Sequence, residues 1–378
     1  MATIFYSMAG EGRGHATRVR AIVEDLRQRH RVVLFAPGQA HDLLAPIYRD
    51  SDVEVRVIEG LSFRYRADGS VDYLRSVVES IRSLGTYARR VDELHKQILA
   101  DRPDLIITDF EPLLPRAGER AGVPYVSVDH QHFLTTYSMR WLPLYQRIQA
   151  LLIGAAVRLF HGRQNLTIVS AFFRPPLRAG AGRSVRQVGV LLGQDILERT
   201  PKDEDFLLVY LRRGTPRRVF RALANCGLPA RIYGPGKVGN EGPLAFCAVD
   251  REAFVHDLAR CRALVTTSGN QVVGEALHLR KPVLALPEPG NWEQGLNGFF
   301  LEQMGVGACA SMHTLRSKAI REFLSHLDAY RAAMPCGNAS GNVDVSRILE
   351  DFLATLPDRK REAFSWRSLR AAFQQAAA

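Results

Sequence analysis

The sequence predicts an α/β protein made of two Rossmann-like domains that face each other across a cleft. Short apolar, β-branched runs of the kind that buried parallel strands require alternate with stretches of helical periodicity along the chain. This alternation begins afresh after residue 200, so the second half repeats the organisation of the first. At 378 residues the chain is also long enough for two domains with separate cores.

The first half contains six predicted strands. They cover residues 2–8, 31–36, 53–58, 104–108, 124–128 and 166–169. Helical spacing of apolar residues predicts a helix over residues 16–29 and a longer one over residues 72–99 that is broken near Gly85. Polar clusters begin at Asp109 and Asp129, directly after two of the strands, at the edge where parallel sheets bind ligands.

The second half also contains six predicted strands and three clear helices. The strands cover residues 206–211, 230–233, 244–249, 263–267, 283–286 and 306–310, and the helices cover residues 216–224, 251–261 and 272–279. We assign residues 1–185 to the first domain, residues 186–357 to the second, and residues 358–378 to a basic helix that packs back on the first domain. The hinge is expected within residues 179–200.

A glycine-rich loop over residues 10–15 follows the first strand. Its GEGRG spacing differs from the GxGxxG of dinucleotide-binding proteins, and Pro37 and Gly38 stand where those proteins carry an acidic residue. The loop is therefore weak evidence for a dinucleotide site.

Residues 263–297 carry the strongest functional signal. A buried strand ends in Ser268, Gly269 and Asn270, which form a tight turn before the next helix. Such a turn directs free backbone N–H groups and the positive end of the helix beyond the strand, and both favour a phosphate. The natural ligand of this turn is a diphosphate.

The run SGNQVVGEALHLRKPVLALPEPGNWEQGLN resembles the donor-binding signature of the two-domain GT-B glycosyltransferases. It is most similar to the branch that contains the peptidoglycan enzyme adding N-acetylglucosamine to a lipid-linked intermediate, and to related glycolipid transferases. The resemblance implies that Ser268 and Gly269 meet the diphosphate and that Glu275 binds the ribose hydroxyls. It also implies that Glu293 and Gln294 contact the donor sugar.

These roles agree with the chemistry of the side chains. A carboxylate accepts two hydroxyl donors from a cis-diol, as Glu275 would from ribose, whereas the alternative is an ordinary solvated helix carboxylate. Asn270 and Gln271 stand where the family commonly has glycines, and their side chains are less favourable for a close approach of the backbone to the phosphates. We nevertheless include Asn270 among the predicted donor contacts, together with Gly14.

His15 is the first candidate for catalysis. The GRGHATR pattern resembles the GT-B loop where acceptor and donor meet, and an imidazole that is neutral near pH 7 suits removal of the acceptor proton in an inverting transfer. The alternative is that His15 only caps the helix it introduces. Asp109 is the second candidate, with Glu111 as a rival base, while Asp129 could hold a histidine in the correct tautomer.

The leaving group of such a reaction is a nucleoside diphosphate, expected to be UDP. Arg212 follows the first strand of the second half and, with Arg213, could reach the phosphates, although both could equally be surface charges. Family members bind the nucleobase of the donor near the segment that corresponds to residues 246–254. No DxD motif stands in a suitable loop, so neither a metal nor another cofactor is expected. The histidines at 130 and 132 favour a polar acceptor pocket over a metal site.

The acceptor is expected to be a hydroxyl compound, and a lipid-linked one is a possibility. Residues 139–160 predict an amphipathic helix with apolar residues on one side and Arg140, Arg147 and Arg158 on an opposite line. This pattern suits an anionic membrane surface, but it also suits a core helix with a solvated arginine face. Residues 130–194 contain no acidic residue and should carry a positive field.

Composition favours a cytoplasmic enzyme, peripheral on the inner face of the membrane if the basic helices touch lipid. The five cysteines have no CxxC spacing and predict free thiols, and neither a signal peptide nor a membrane span is recognisable. The net charge of +11, from 50 basic and 39 acidic residues, comes without any nucleic-acid-binding motif, so no nucleic-acid partner is expected.

One alternative function shares the predicted architecture. A UDP-sugar 2-epimerase would bind its nucleotide through the same Ser268 and Glu275, but it would act on the donor alone. Incubation of UDP-N-acetylglucosamine without an acceptor separates the two activities, because only an epimerase would still turn over.

Overall fold

The computed structural model describes residues 1–10, 13–59, 84–160, 163–335 and 340–357. Within them, the first half of the chain forms a seven-stranded parallel sheet of order β3-β2-β1-β4-β5-β6-β7. The strands are β1 (Thr3–Met8), β2 (Arg31–Ala36), β3 (Glu54–Val57), β4 (Leu105–Asp109), β5 (Tyr125–Asp129), β6 (Leu166–Ser170) and β7 (Val185–Val188). The helices are α1 (Arg13–Leu26), α2 (Gly38–Tyr48), α3 (Leu84–Asp101), α4 (Leu113–Arg120), α5 (Phe133–Thr136) and α6 (Leu144–Phe160).

The second half forms a seven-stranded sheet of order β10-β11-β9-β8-β12-β13-β14, in which only β10 runs antiparallel to its neighbour. Its strands are β8 (Leu207–Tyr210), β9 (Ala230–Tyr233), β10 (Gly239–Glu241), β11 (Leu244–Cys247), β12 (Ala263–Thr266), β13 (Val283–Ala285) and β14 (Gly307–Cys309). Its helices are α7 (Gln194–Leu197), α8 (Arg217–Ala224), α9 (Arg251–Arg260), α10 (Asn270–His278), α11 (Trp292–Gln303), α12 (Ser317–Ser325) and α13 (Leu327–Ala333), and α14 (Asn342–Ala354) follows.

The predicted fold class is confirmed, since two parallel α/β sheets face each other across a cleft. The central strands were recognisable because helices cover both of their faces: every residue of β4, β5, β6 and β12 is buried. Most predicted strands agree with the observed ones to within two residues. The predicted helix over residues 72–99 is seen only as α3, because residues 60–83 lie outside the described part of the chain.

Several elements were missed for local reasons. Helix α2 was not assigned from the sequence; it follows Pro37 and contains Pro46, which is unfavourable inside a helix. Strand β10 is exposed along its whole length and lacks an apolar face, and β7 is a short VRQV segment with two buried residues. These elements lie at the edges of the sheets or on their surfaces.

The last described helix returns to the first half. The chain crosses beside residues 190–192, where Asn342 bonds the backbone N–H and C=O of Leu192, and α14 then packs against α1. Val345 and Leu349 are fully buried in the core of the first half. The return therefore begins before the segment 358–378 that was predicted to make it, and that segment lies outside the described residues.

A second contact between the halves is aromatic. Helix α11 of the second half packs on α6 of the first. The rings of Phe173 and Phe300 stack with their centroids 3.8 Å apart, and Trp141 lies edge-on to Phe300 at 5.3 Å. These contacts and α14 hold the carboxyl edges of the two sheets facing each other.

Candidate active site

A cleft of about 1550 Å³ lies between the carboxyl edges of the two sheets. The first half lines it with the start of α1 and the loop after β5, and the second half with the loops after β8 and β12 and the start of α9. The predicted site residues that reach its wall are Gly14, His15, Arg212, Gly269, Asn270, Glu275, Glu293 and Gln294. Ser268 and Asp109 do not line it.

His15 lies in the first turn of α1 and is held by a buried ion pair. Its Nδ1 lies 3.0 Å from Oδ1 of Asp109, at the end of β4. Arg18, one turn further along α1, donates to both oxygens of the same carboxylate, from Nε at 2.9 Å and from Nη2 at 2.6 Å. Asp109 and Arg18 are both buried, whereas the side chain of His15 remains 15% exposed at the cleft.

This arrangement sets the tautomer of His15. Burial alone would raise the pKa of Asp109, but the charge of Arg18 and the contact with His15 outweigh burial and lower it. The carboxylate is therefore ionised, and it accepts the Nδ1 hydrogen of His15. Nη2 of Arg18 also lies 3.0 Å from Nδ1, but it donates to Oδ1 of Asp109 at 2.6 Å, whereas the ionised Oδ1 can only accept and therefore favours the hydrogen on Nδ1. Nε2 is left with a lone pair and has no partner among the described residues, so it can accept a proton.

The rival base Glu111, and Asp129, which was expected to hold a histidine, both have structural contacts. Glu111 is buried and accepts from the backbone N–H groups of Leu113 and Leu114, at 2.7 and 2.9 Å, so it caps α4; burial raises its pKa to about 7. Asp129 accepts from the backbone N–H of His132 at 2.9 Å and faces its Nδ1 at 2.7 Å. Neither carboxylate lines the cleft.

The turn after β12 presents its backbone to the cleft and hides its serine. Ser268 adopts a φ of +62°, is fully buried, and donates through Oγ to the carbonyl of Gln294 at 2.7 Å. Gly269 is the N-cap of α10, so the N–H groups of the first turn of this helix have no intrahelical acceptor. The diphosphate contact predicted for Ser268 can therefore come from the backbone of this turn but not from the serine side chain.

Asn270 fastens this turn to the first half of the chain. Its Nδ2 donates to the carbonyl of Ser170 at 3.1 Å, and its Oδ1 accepts from the backbone N–H of Phe172 at 3.3 Å. A glycine here would lose both bonds. The departure from the family pattern at this position thus serves the contact between the halves, while the backbone N–H remains available to a ligand.

Glu275 lies in the cleft wall, and its carboxylate is paired. Arg251, the first residue of α9, donates from Nη2 to Oε1 at 3.0 Å and from Nη1 to Oε2 at 3.1 Å. The Nε of Arg251 also donates to Asp195 at 2.7 Å. Although burial opposes its charge, Glu275 and Asp195 raise the pKa of Arg251. The expected ribose ligand is therefore not a free carboxylate.

Glu293 and Gln294 occupy the next stretch of the wall. Glu293 is about a third exposed, with Oε1 3.9 Å from Nε2 of His130 and Oε2 3.5 Å from Nε2 of Gln131. Gln294 exchanges two hydrogen bonds with Glu288, at 2.8 and 3.0 Å. Of the predicted sugar-binding pair, Glu293 is thus the more accessible.

His130 connects the first half to the turn after β12. Its Nε2 lies 3.0 Å from Oδ1 of Asn297, whose Nδ2 donates to the carbonyl of Ser268 at 3.0 Å. Burial lowers the pKa of His130. Together with Asn270, this connection aligns the turn with the edge of the first sheet.

Arg212 and Arg213 are exposed at the rim of the cleft. Nη1 of Arg212 lies 3.6 Å from Oε2 of Glu288, beside the segment that follows β13. Both guanidinium groups can therefore meet an anion in the cleft without being buried.

Sequence reasoning missed the two arginines that govern the expected site. Arg18 lies three residues after His15 and thus on the same face of α1, a spacing that could have pointed to it. Arg251 falls inside the segment 246–254 that was expected to bind the nucleobase. Its partner Glu275 lies 24 residues later on another helix, so no local sequence pattern indicates the pair.

Comparison with known proteins identifies the family and supports the fold. The sequence model of a family described as glycosyl transferase family 1 matches residues 2–328. The fold is similar to the calicheamicin glycosyltransferase CalG4, with a TM-score of 0.63 and 17% identity over 94% of this chain and 99% of that chain. It is also similar to MurG of Acinetobacter baumannii, with a TM-score of 0.60 and 12% identity over 93% and 100% of the two chains.

A third similar structure is UGT89C1 of Arabidopsis thaliana complexed with UDP-L-rhamnose. Its TM-score is 0.63, with 12% identity over 94% of this chain and 99% of that chain. Identities this low support a shared fold and nothing finer. No curated protein matches the chain.

The buried pair of Arg18 and Asp109 is expected to couple strongly. Arg18→Met or Asp109→Asn alone should lower the free energy of unfolding by about 3–5 kcal/mol, because each leaves a buried partner uncompensated. The double variant should cost less than the sum of the two. Urea unfolding followed by circular dichroism measures all three. Arg89→Met, which breaks an exposed pair with Glu93, is the control and should cost less than about 1 kcal/mol.

The contribution of this pair to the free energy of unfolding is expected to decrease at acid pH. Since the folded pKa of Asp109 lies below its ordinary value of 3.8, its contribution is complete above that pH and is lost as the pH falls through the folded value. The coupling would be contradicted if the losses in unfolding free energy of the two single variants simply added in the double variant. It would also be contradicted if the parent were no more stable than Asp109→Asn at neutral pH.

Proposed function

We propose that this chain, which belongs to glycosyl transferase family 1, transfers a hexose-type sugar from a nucleoside diphosphate, UDP, to a hydroxyl acceptor with inversion. One observation carries the proposal: the first turn of α1, which bears His15, lies directly against the N-terminus of α10. A Cβ placed on Gly14 would lie 3.7 Å from Cβ of Gln271, in the first turn of that helix. A proton acceptor from one half thus faces a phosphate-binding helix end from the other.

His15 would act as the general base. Its Nε2 would take the proton of the acceptor hydroxyl while the acceptor oxygen forms its bond to the anomeric carbon of the sugar. The bond from that carbon to the diphosphate oxygen breaks on the opposite side, which inverts the configuration. Asp109, fixed by Arg18, positions the imidazole and stabilises the imidazolium that forms. Asp109 would therefore support catalysis, and His15 would abstract the proton.

The departing diphosphate would meet the positive end of α10. Backbone N–H groups that already point to the cleft need no reorganisation when charge develops on the leaving group. Gly269 permits close approach of the backbone, and Arg212 and Arg213 at the rim can add charge. These groups of the protein would stabilise the negative charge that develops on the diphosphate.

The nucleoside would extend along α10 towards Glu275. Six residues separate Gly269 from Glu275, which corresponds to about 9 Å along a helix. The pentose would lie against Glu275, and the base near residues 249–254, which contribute Val249, Asp250 and Phe254 to the cleft. The UDP-L-rhamnose complex of the similar Arabidopsis protein supports UDP as the nucleotide. Glu293 would contact the sugar.

The family match favours transfer over the epimerase alternative. The preference rests on that match, because the cleft wall holds several carboxylates and its composition alone does not separate the two activities. The cleft also extends past His15 along α2, where Leu43 and Ile47 leave room for a second substrate.

We further propose that α6 binds an anionic membrane surface and presents a lipid-linked acceptor. Its apolar side chains face outward: Leu144 is 72% exposed, Leu151 59% and Leu152 57%. At about 100° per residue, Arg147 and Arg158 lie within about 60° of Leu144 and Leu151, so the arginines border the apolar face and do not oppose it as predicted. Apolar residues edged by arginine complement an anionic bilayer.

None of the helices in the described part of the chain has the length and apolar character of a membrane span. The proposed association is peripheral because α6 would meet the membrane with one exposed face. The four described cysteines carry free thiols, which supports a reducing, cytoplasmic setting on the inner face of a membrane.

His15→Ala is expected to lower kcat about 10²- to 10⁴-fold, because general base catalysis is lost, with an unchanged Tm. The assay follows UDP release from UDP-glucose and UDP-N-acetylglucosamine in the presence of a panel of hydroxyl acceptors. His41→Ala, at a histidine on α2 that does not line the cleft, is the matched control. Turnover of His15→Ala equal to that of the parent would remove His15 from the mechanism.

The membrane proposal predicts that the protein floats with vesicles containing phosphatidylglycerol at low salt. The variant with Leu151→Glu and Leu152→Glu should remain at the bottom of the gradient, because two carboxylates on the apolar face oppose insertion and meet like charge. Val238→Glu, at an apolar residue of the second half that is 74% exposed, should float like the parent. Absence of flotation by the parent, or flotation of the double variant, would overturn the proposal.

A further inference from the structure

Helix α11 holds the turn after β12 by two hydrogen bonds to Ser268. Oγ of Ser268 donates to the carbonyl of Gln294 at 2.7 Å, and the carbonyl of Ser268 accepts from Nδ2 of Asn297 at 3.0 Å. Ser268 needs such support, because a φ of +62° is sparsely populated by residues other than glycine and persists only where the surroundings fix it. The conformation of this turn therefore depends on α11.

Asn297 can bond Ser268 in only one orientation of its amide. A carbonyl oxygen only accepts, so Nδ2 must face Ser268, and Oδ1 is left to accept from Nε2 of His130 at 3.0 Å. Burial lowers the pKa of His130, so its imidazole has one hydrogen, and Nε2 faces the closer acceptor, since Nδ1 lies 3.3 Å from the carbonyl of Ser170. Asn297 is fully buried, so water does not compete for either of its bonds.

The bond from Asn297 also directs the N–H group of the same peptide unit. No described peptide bond is cis, and in a trans peptide the C=O and N–H point in opposite directions. With the Ser268 carbonyl turned to α11, the N–H of Gly269 points away from that helix and has no partner among the described residues. Gly269 lines the cleft, and a Cβ placed on it would lie 3.9 Å from Cγ1 of Val272, so this N–H can be approached from the cleft.

We propose that Asn297 is a positioning residue for the diphosphate. By holding the carbonyl of Ser268, it directs the N–H of Gly269 into the cleft, where this N–H donates to a diphosphate oxygen. Without that bond, the peptide unit between Ser268 and Gly269 can rotate and relax the positive φ, and the N–H leaves the cleft. Asn297 itself does not line the cleft, so it acts only through the turn. The inference rests on the proposed function, in which the phosphates lie at the start of α10.

Isothermal titration with UDP and with uridine tests this, because uridine lacks the diphosphate. Asn297→Leu removes the Nδ2 donor, so this variant should bind UDP about tenfold more weakly than the parent, which corresponds to the loss of a hydrogen bond to a charged group. Its affinity for uridine should stay within about twofold of the parent's. Asn225→Leu removes an Nδ2 that also donates to a backbone carbonyl, that of Arg221 at 2.7 Å, but outside the cleft, and this control should bind both ligands as the parent does.

The outcomes separate this inference from the function it rests on. A loss of UDP affinity below about threefold in Asn297→Leu would overturn the role of Asn297 alone. So would an equal loss for uridine and UDP, which a merely structural role would give. A parent that binds UDP no more tightly than uridine would overturn the proposed function as well.

A second measurement uses the parent alone and so does not depend on how Asn297→Leu folds. The amide proton of Gly269 should shift downfield in the NMR spectrum when UDP is added, because it gains a charged acceptor, and should not do so with uridine. Absence of this shift in a parent that binds UDP would overturn the inference. If Asn297→Leu does not fold by circular dichroism, Asn297→Ala replaces it in the titrations.

Discussion

Buried polar side chains join the turn after β12 to the edge of the first sheet, and this contact sets the geometry of the site. Asn270 bonds the backbone of Ser170 and Phe172, and His130 reaches the carbonyl of Ser268 through Asn297. All of these side chains are buried, so breaking the contact would leave polar groups unsatisfied. Because the contact fixes where α10 begins, it also fixes how that helix faces His15.

Two arginine–carboxylate pairs have different positions at the site. The pair of Arg18 and Asp109 is closed off from solvent and orients His15 without touching a substrate. The pair of Arg251 and Glu275 lies in the cleft wall. In both cases the guanidinium donates to both carboxylate oxygens and so fixes their position.

The fold was largely predictable because buried parallel strands need apolar residues on both faces, and such runs stand out in the sequence. The rule that ligands bind at carboxyl ends of strands also predicted which loops line the cleft. It did not predict which way each side chain turns. Ser268 points away because its positive φ directs Oγ to Gln294, and Asn270 is engaged by residues about one hundred positions earlier. Partners so distant in sequence leave no local pattern.

The central claim is that a nucleoside diphosphate binds with its phosphates at the start of α10 and its pentose at Glu275. A crystal structure of the protein with UDP tests this most directly. We expect diphosphate oxygens to lie within about 3.2 Å of the backbone nitrogen of Asn270 or Gln271, on the side of the cleft that faces His15. A diphosphate bound away from this helix end, with the pentose remote from Glu275, would contradict it.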